Sequence, residues 1–173
     1  HGFLLENFGD APYYPNQVLP QTVAYMTLLG QEIKDTFPKP LGINVLRNDP
    51  LSALAIATVV GAQFIRVNIY MGARVADEGL IQGEAYRVVR YRHELGSDVK
   101  IFADVAVKHS TSLGAMALKD EVSDTILRGK ADAIVVSGNA TGKETSISDL
   151  RDAKEAAGNS PVFAGSGVTV ENV

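Results

Sequence analysis

The chain has 173 residues, 16 Lys+Arg against 20 Asp+Glu, a formal charge of −4 and 46% hydrophobic residues, enough for one ordinary core. That mild acidity argues against gripping a phosphate backbone, a task for strongly basic faces, so no nucleic acid partner is expected. Having no cysteine, the chain holds no disulfide, thiolate nucleophile or Cys-ligated metal.

Taken in order, the chain opens at His1 rather than Met and runs directly into an apolar strand at residues 2–7, which reads as a piece of something longer. Residues 8–20 follow, stiffened by Pro12, Pro15 and Pro20 and carrying Tyr13 and Tyr14. This segment reads either as a lid or as a partner or oligomer contact, since Tyr is enriched at interfaces. Val23, Met26, Ile33 and Phe37 form a helical stripe leading to a strand at 41–46. Asp49 and Pro50 then read as N-cap and first helical position for a helix over 51–60, ahead of a strand at 64–70.

Residues 72–83, flanked by glycines and bearing Arg74, Asp77 and Glu78, read as a second lid loop. Ala85, Val88, Val89 and Leu95 mark the next helix, opposite Arg87, Arg90 and Glu94, and a strand at 99–107 follows. Further strands fall at 133–137 and 162–165, separated by a helix through Ile147, Leu150, Ala153 and Ala157 that stops at Gly158. The longest apolar run, 51–62, is too short and interrupted for the ~20 residues a bilayer crossing needs. No transmembrane segment or secretory leader is therefore expected, and the chain reads as cytoplasmic.

Strand–helix alternation with nearly continuous apolar strands indicates an α/β fold on a parallel sheet. The strand starts recur every 32 residues on average. Eight such units make the ~250 residues of a TIM (β/α)₈ barrel, of which about strands 2 to 7 are present. An open doubly wound sheet is the rival. Polarity along the strands separates the two. Ile101, Ala103 and Val105 alternate with Phe102 and Asp104; Ile65, Val67 and Ile69 alternate with Arg66 and Asn68. Polar groups confined to one side suit a barrel interior better than a helix-covered face, where an unpaired charge is costly. The expectation is one partial barrel domain over residues 1–173.

Active sites of such barrels lie at the C-terminal strand ends. That rule selects Glu6, Asn44, Arg66, Asn68, Asp104, Lys108, His109, Ser137, Gly138, Gly165, Ser166 and Gly167. Asp104 reads as a proton-handling acid or base, and Lys108, Arg66 and Asn68 as stabilisers of developing negative charge. The others read as substrate-binding, with His109 as a possible shuttle or plain surface. Asp104 and Lys108 lie about 13 Å apart along an extended strand at ~3.3 Å per residue, too far to pair. Arg66 or Asn68 are the natural partners for Asp104, and a structural ion-pair network is the competing account. After the last strand, Gly165-Ser166-Gly167 runs into an expected helix start at Val168-Thr169. There backbone N–H groups and a helix terminus would cradle phosphate, unless the glycines only form a tight turn. Ser137 to Gly142 has a similar texture; its Asn139-Ala140-Thr141 match to a glycosylation acceptor carries little weight without a secretory leader. No metal-ligating cluster is apparent and no cofactor is expected, with Mg²⁺ borne by a phosphate ligand left open.

The strings LLENFGDAPYYP, LGINVLRNDP, FIRVNIYMGARVADEGLIQGEA, DVAVKHS, VVSGNATG and GSGVTVENV closely resemble the BtpA family, also called BtpA/SgcQ, over essentially the whole chain. The resemblance implies a TIM barrel of the ribulose-phosphate-binding kind, with strand one and strand eight lacking counterparts here. Cyanobacterial members are associated with photosystem I biogenesis at the thylakoid periphery, which would imply peripheral membrane attachment. Others are called nucleosidases by prediction, or simply predicted TIM-barrel enzymes. No catalytic residue is carried over from the family. Two functions follow as expectations: an enzyme on a small phosphorylated or ribosylated ligand, by nucleosidase or sugar-phosphate chemistry, or a non-catalytic assembly factor. Homo-oligomerisation through the tyrosine-bearing segment is a further expectation.

Overall fold

A computed structural model describes residues 1–107, 109–137 and 145–171. The chain divides into two compact units, His1–Val67 with Glu84–Ile101 and Asn68–Gly83 with Phe102–Val173.

In the first unit, strands β1 (Phe3–Glu6), β2 (Leu41–Asn44) and β3 (Phe64–Val67) pair in parallel, with Glu6 opposite Asn44 and Ile43 opposite Ile65. Helices α1 (Pro20–Thr36), α2 (Pro50–Val60) and α3 (Ala85–Glu94) follow them. Helix α2 starts as its sequence dictates: the Asp49 carboxylate accepts from the Ser52 N–H at 3.0 Å, and Pro50 takes the first turn, where a missing N–H costs nothing. It ends at Gly61, whose φ of 67° is a left-handed stop that glycine adopts freely. Leu41, Ile43, Leu54 and Ile65 are fully buried.

The second unit contains β6 (Lys100–Val105), β8 (Ala133–Val136) and β9 (Val162–Ala164), parallel in that order from Phe102 onward. Helices α4 (Leu118–Leu127) and α5 (Ile147–Ala157) cover them through a cluster of Val105, Val122, Ile134, Val136, Ala153 and Ala157. All six expected strands are present, each trimmed at one or both ends.

Three expectations need correction. Residues 72–83 are not a lid loop but two strands, β4 (Ala73–Ala76) and β5 (Gly79–Gln82), turning at Asp77-Glu78, with β4 also paired to β7 (Ser110–Ser112). Ile69, Ile81 and Val107 bury an apolar centre there, which is why this stretch is ordered sheet. Second, α4 fills a stretch for which no helix is expected above, although Leu118, Val122 and Ile126 repeat at helical spacing. Third, no helix begins after β9 among the described residues: 165–171 form a bend and turn. Val168, Thr169 and Val170 are β-branched, and the glycines before them resist helix formation.

Candidate functional site

Strand ends gather the expected polar residues into one group in each unit. In the first, parallel register sets Glu6 beside Asn44, and neighbouring side chains at matched positions share a face. The Asn44 amide donates to Glu6 Oε1 at 2.7 Å. An Arg66 guanidinium nitrogen lies 3.7 Å from the same oxygen, with the two side chains 14% and 26% exposed. Asn44 is buried, so its hydrogen bond has little competition from water. Beside them Asn7 brackets Leu46, accepting from its N–H at 2.6 Å and donating to its carbonyl at 3.0 Å.

In the second unit, Asp104 near the end of β6 is the centre. Its Oδ2 accepts from Asn68 Nδ2 at 3.1 Å and from the Ser137 hydroxyl at 3.3 Å. All three residues are buried. The expected Asp104–Asn68 partnership is therefore present, and Ser137 joins it because β8 pairs with β6 in a register that puts Val136 opposite Val105. A carboxylate accepts only, so Asn68 must present its nitrogen to Asp104 and turn its oxygen away. That oxygen is buried and, among the described residues, has no hydrogen-bond partner.

Gly165, Ser166 and Gly167 follow β9, half-buried. The phosphate-cradle expectation loses one donor, since the Gly165 N–H already donates to the Val136 carbonyl at 2.8 Å. It also loses the helix terminus, as described above. Gly167 keeps a φ of 70°, a conformation that suits glycine. Thr145, which sequence reasoning missed, ties this turn to β8: its hydroxyl lies 3.2 Å from the Val136 carbonyl and 3.3 Å from that of Ser166. No periodic or motif signal marks it in its polar surroundings. His109 is exposed in the turn before β7, with φ of 55°. Lys108 and Gly138 lie outside the described residues, as does the Asn139-Ala140-Thr141 acceptor pattern.

The tyrosine-bearing segment is strapped down. Arg47 N–H donates to the Tyr14 carbonyl at 3.1 Å, Val18 N–H donates to Asp49 at 3.0 Å, and the Tyr13 hydroxyl donates to the Phe8 carbonyl at 2.9 Å. It borders a cavity of about 450 Å³ lined by Glu6, Asp10, Tyr14, Val18, Met26 and Leu46 among others. Among the described residues no three His, Cys, Asp or Glu side chains converge as metal ligands.

A family model matches residues 1–173 from end to end. The chain belongs to the BtpA family. This BtpA-family chain is 51% identical over 172 residues to the photosystem I biogenesis protein BtpA of Synechocystis, covering 99% of this chain and 60% of that protein. It is 43% identical over 170 residues to an uncharacterised protein of Methanocaldococcus jannaschii, covering 98% and 64%. A mitochondrial uncharacterised protein of Caenorhabditis elegans is 32% identical over 178 residues, covering 99% and 64%. The BtpA-family chain thus spans about three fifths of the length of these relatives. A FabK mutant from Thermotoga maritima matches with a TM-score of 0.57 and 16% identity over 84% of this chain and 42% of that one. That likeness concerns fold alone. Among the described residues, no helix of the BtpA-family chain is long and apolar enough to cross a membrane.

Proposed function

We propose that the chain is the larger part of a (β/α)₈-barrel enzyme acting on a small phosphorylated or ribosylated substrate, by nucleosidase or sugar-phosphate chemistry. The observation that carries this reading is the buried trio in which Asn68 and Ser137 converge on one oxygen of Asp104 at strand ends. Three polar side chains taken out of water near a strand terminus cost desolvation that packing alone does not require. The repeated strand–helix order and the likeness to the FabK chain support the barrel.

In this reading Asp104 moves a proton, while Asn68 beside it stabilises negative charge as it develops. Within the same unit, His109, Ser137 and the turn of Gly165, Ser166 and Gly167 border the substrate. The test is a thermal-stability screen of the full-length protein against ribose phosphates, nucleotides and nucleosides, followed by turnover with Asp104→Asn. Stabilisation by one class and loss of turnover in the variant are expected. No stabilisation by any of them would overturn the reading.

A non-catalytic assembly factor is the second reading, favoured by the name of the Synechocystis relative and by the 52% exposure of Tyr14. It requires that Asp104→Asn leave function intact while Tyr14→Ala abolishes partner binding. Tyr14 is the sounder probe, because Tyr13 also holds its own segment through the Phe8 carbonyl.

A further inference from the structure

Asn68 carries an acceptor that meets no donor among the described residues. Its carboxamide is fixed in direction by the 3.1 Å bond from Nδ2 to Asp104, and the side chain is only 6% exposed. The oxygen is shielded from solvent and, among the described residues, unpartnered. Buried carboxamide oxygens are almost always paired, because leaving one unpaired forfeits its hydration with nothing in return. An amide flip would not help: it would turn the oxygen onto a carboxylate and set two acceptors against each other.

We infer that Asn68 Oδ1 is the acceptor for a hydroxyl of a neutral, sugar-like ligand bound beside Asp104. The inference rests on the enzyme reading above and narrows it by assigning the polyol end of the substrate to this trio. Side by side, the carboxamide oxygen and the Asp104 carboxylate both take hydrogen bonds and neither gives one. Two neighbouring hydroxyls of a sugar give one hydrogen bond each, one to the carboxamide oxygen and one to the carboxylate, so a vicinal diol complements this pair. Phosphate offers mostly acceptor oxygens and bears the same sign of charge as the Asp104 carboxylate, so it is disfavoured at the same place and seats elsewhere.

The experiment follows the side-chain amide resonances of Asn68 in the isotope-labelled full-length protein, titrated separately with D-ribose, inorganic phosphate and ribose 5-phosphate. D-ribose and ribose 5-phosphate are expected to shift the Asn68 amide, and inorganic phosphate to leave it unmoved. Asn68→Leu is expected to weaken ribose binding about tenfold, as loss of one buried hydrogen bond does, without changing the affinity for inorganic phosphate. If Asn68→Leu fails to fold, the titrations of the unmodified protein decide alone. Ribose 5-phosphate that binds while leaving Asn68 unmoved would overturn this inference and leave the enzyme reading standing. Inorganic phosphate shifting the Asn68 amide would overturn it as well. No binding by ribose 5-phosphate, nucleosides or nucleotides would remove the enzyme reading and this inference together.

Discussion

The Asn44 amide and Glu6 carboxylate meet at 2.7 Å across the β1–β2 pair, and Arg66 approaches the same Glu6 oxygen from β3. Three consecutive parallel strands thus end on one shared acceptor. Replacing Asn44 by Ala removes the buried donor, leaving Glu6 with a partly wet ion pair. A loss of about 1–3 kcal/mol is expected, read as a lowered urea midpoint with an unchanged slope. An unchanged midpoint would show that the hydrogen bond contributes nothing net.

Gly42 sits under the ring of Phe64, its partner on β3, so closely that an added Cβ would fall 2.2 Å from ring carbons. Gly42→Ala must push the ring or the strand aside. The expected cost is about 1–3 kcal/mol, the usual range for overpacking, measured by chemical denaturation. Gly42→Ala with Phe64→Leu should recover part of that loss.

Tyr70 is buried, and its hydroxyl donates to the Gly129 carbonyl at 2.6 Å, anchoring the chain beyond β3 to the turn after α4. Tyr70→Phe keeps the ring but orphans a carbonyl. A loss of about 1–3 kcal/mol is expected in the same assay.

Lys119 on α4 holds Glu155 at 2.6 Å and Asp152 at 3.3 Å on α5. The hydrogen bond it donates to Glu155, then that to Asp152, holds its ammonium above the ordinary lysine value. A raised folded-state value gives stability that is complete below the unfolded value and is lost as pH climbs through the folded one. Lys119→Met should therefore flatten the alkaline limb of the stability–pH curve and leave the curve below pH 9 nearly parallel to the original. Added salt should shrink the difference, since both partners are solvent-exposed.

Much of this molecule is legible from its residues alone. Strand positions follow from apolar runs, α2 from the Asp49-Pro50 start and the Gly61 stop, and the alternation of Asp104 with Val105 from the two-residue period of a strand. These are local effects, set by backbone sterics, capping and periodicity. The β4–β5 hairpin looks like loop in the sequence because its strands are only four residues long and its apolar centre is completed by Val107, remote in sequence.

The sequence by itself determined which residues stand at strand ends and that an α/β fold would present them there, because periodicity and capping are properties of neighbours along the chain. Only the tertiary structure decided their partners: that Asp104 takes Ser137 as well as Asn68, that Arg66 goes to Glu6, and that the Gly165 N–H is already engaged. Register between strands, fixed by packing distant segments together, chooses those pairs, and no single segment contains that information.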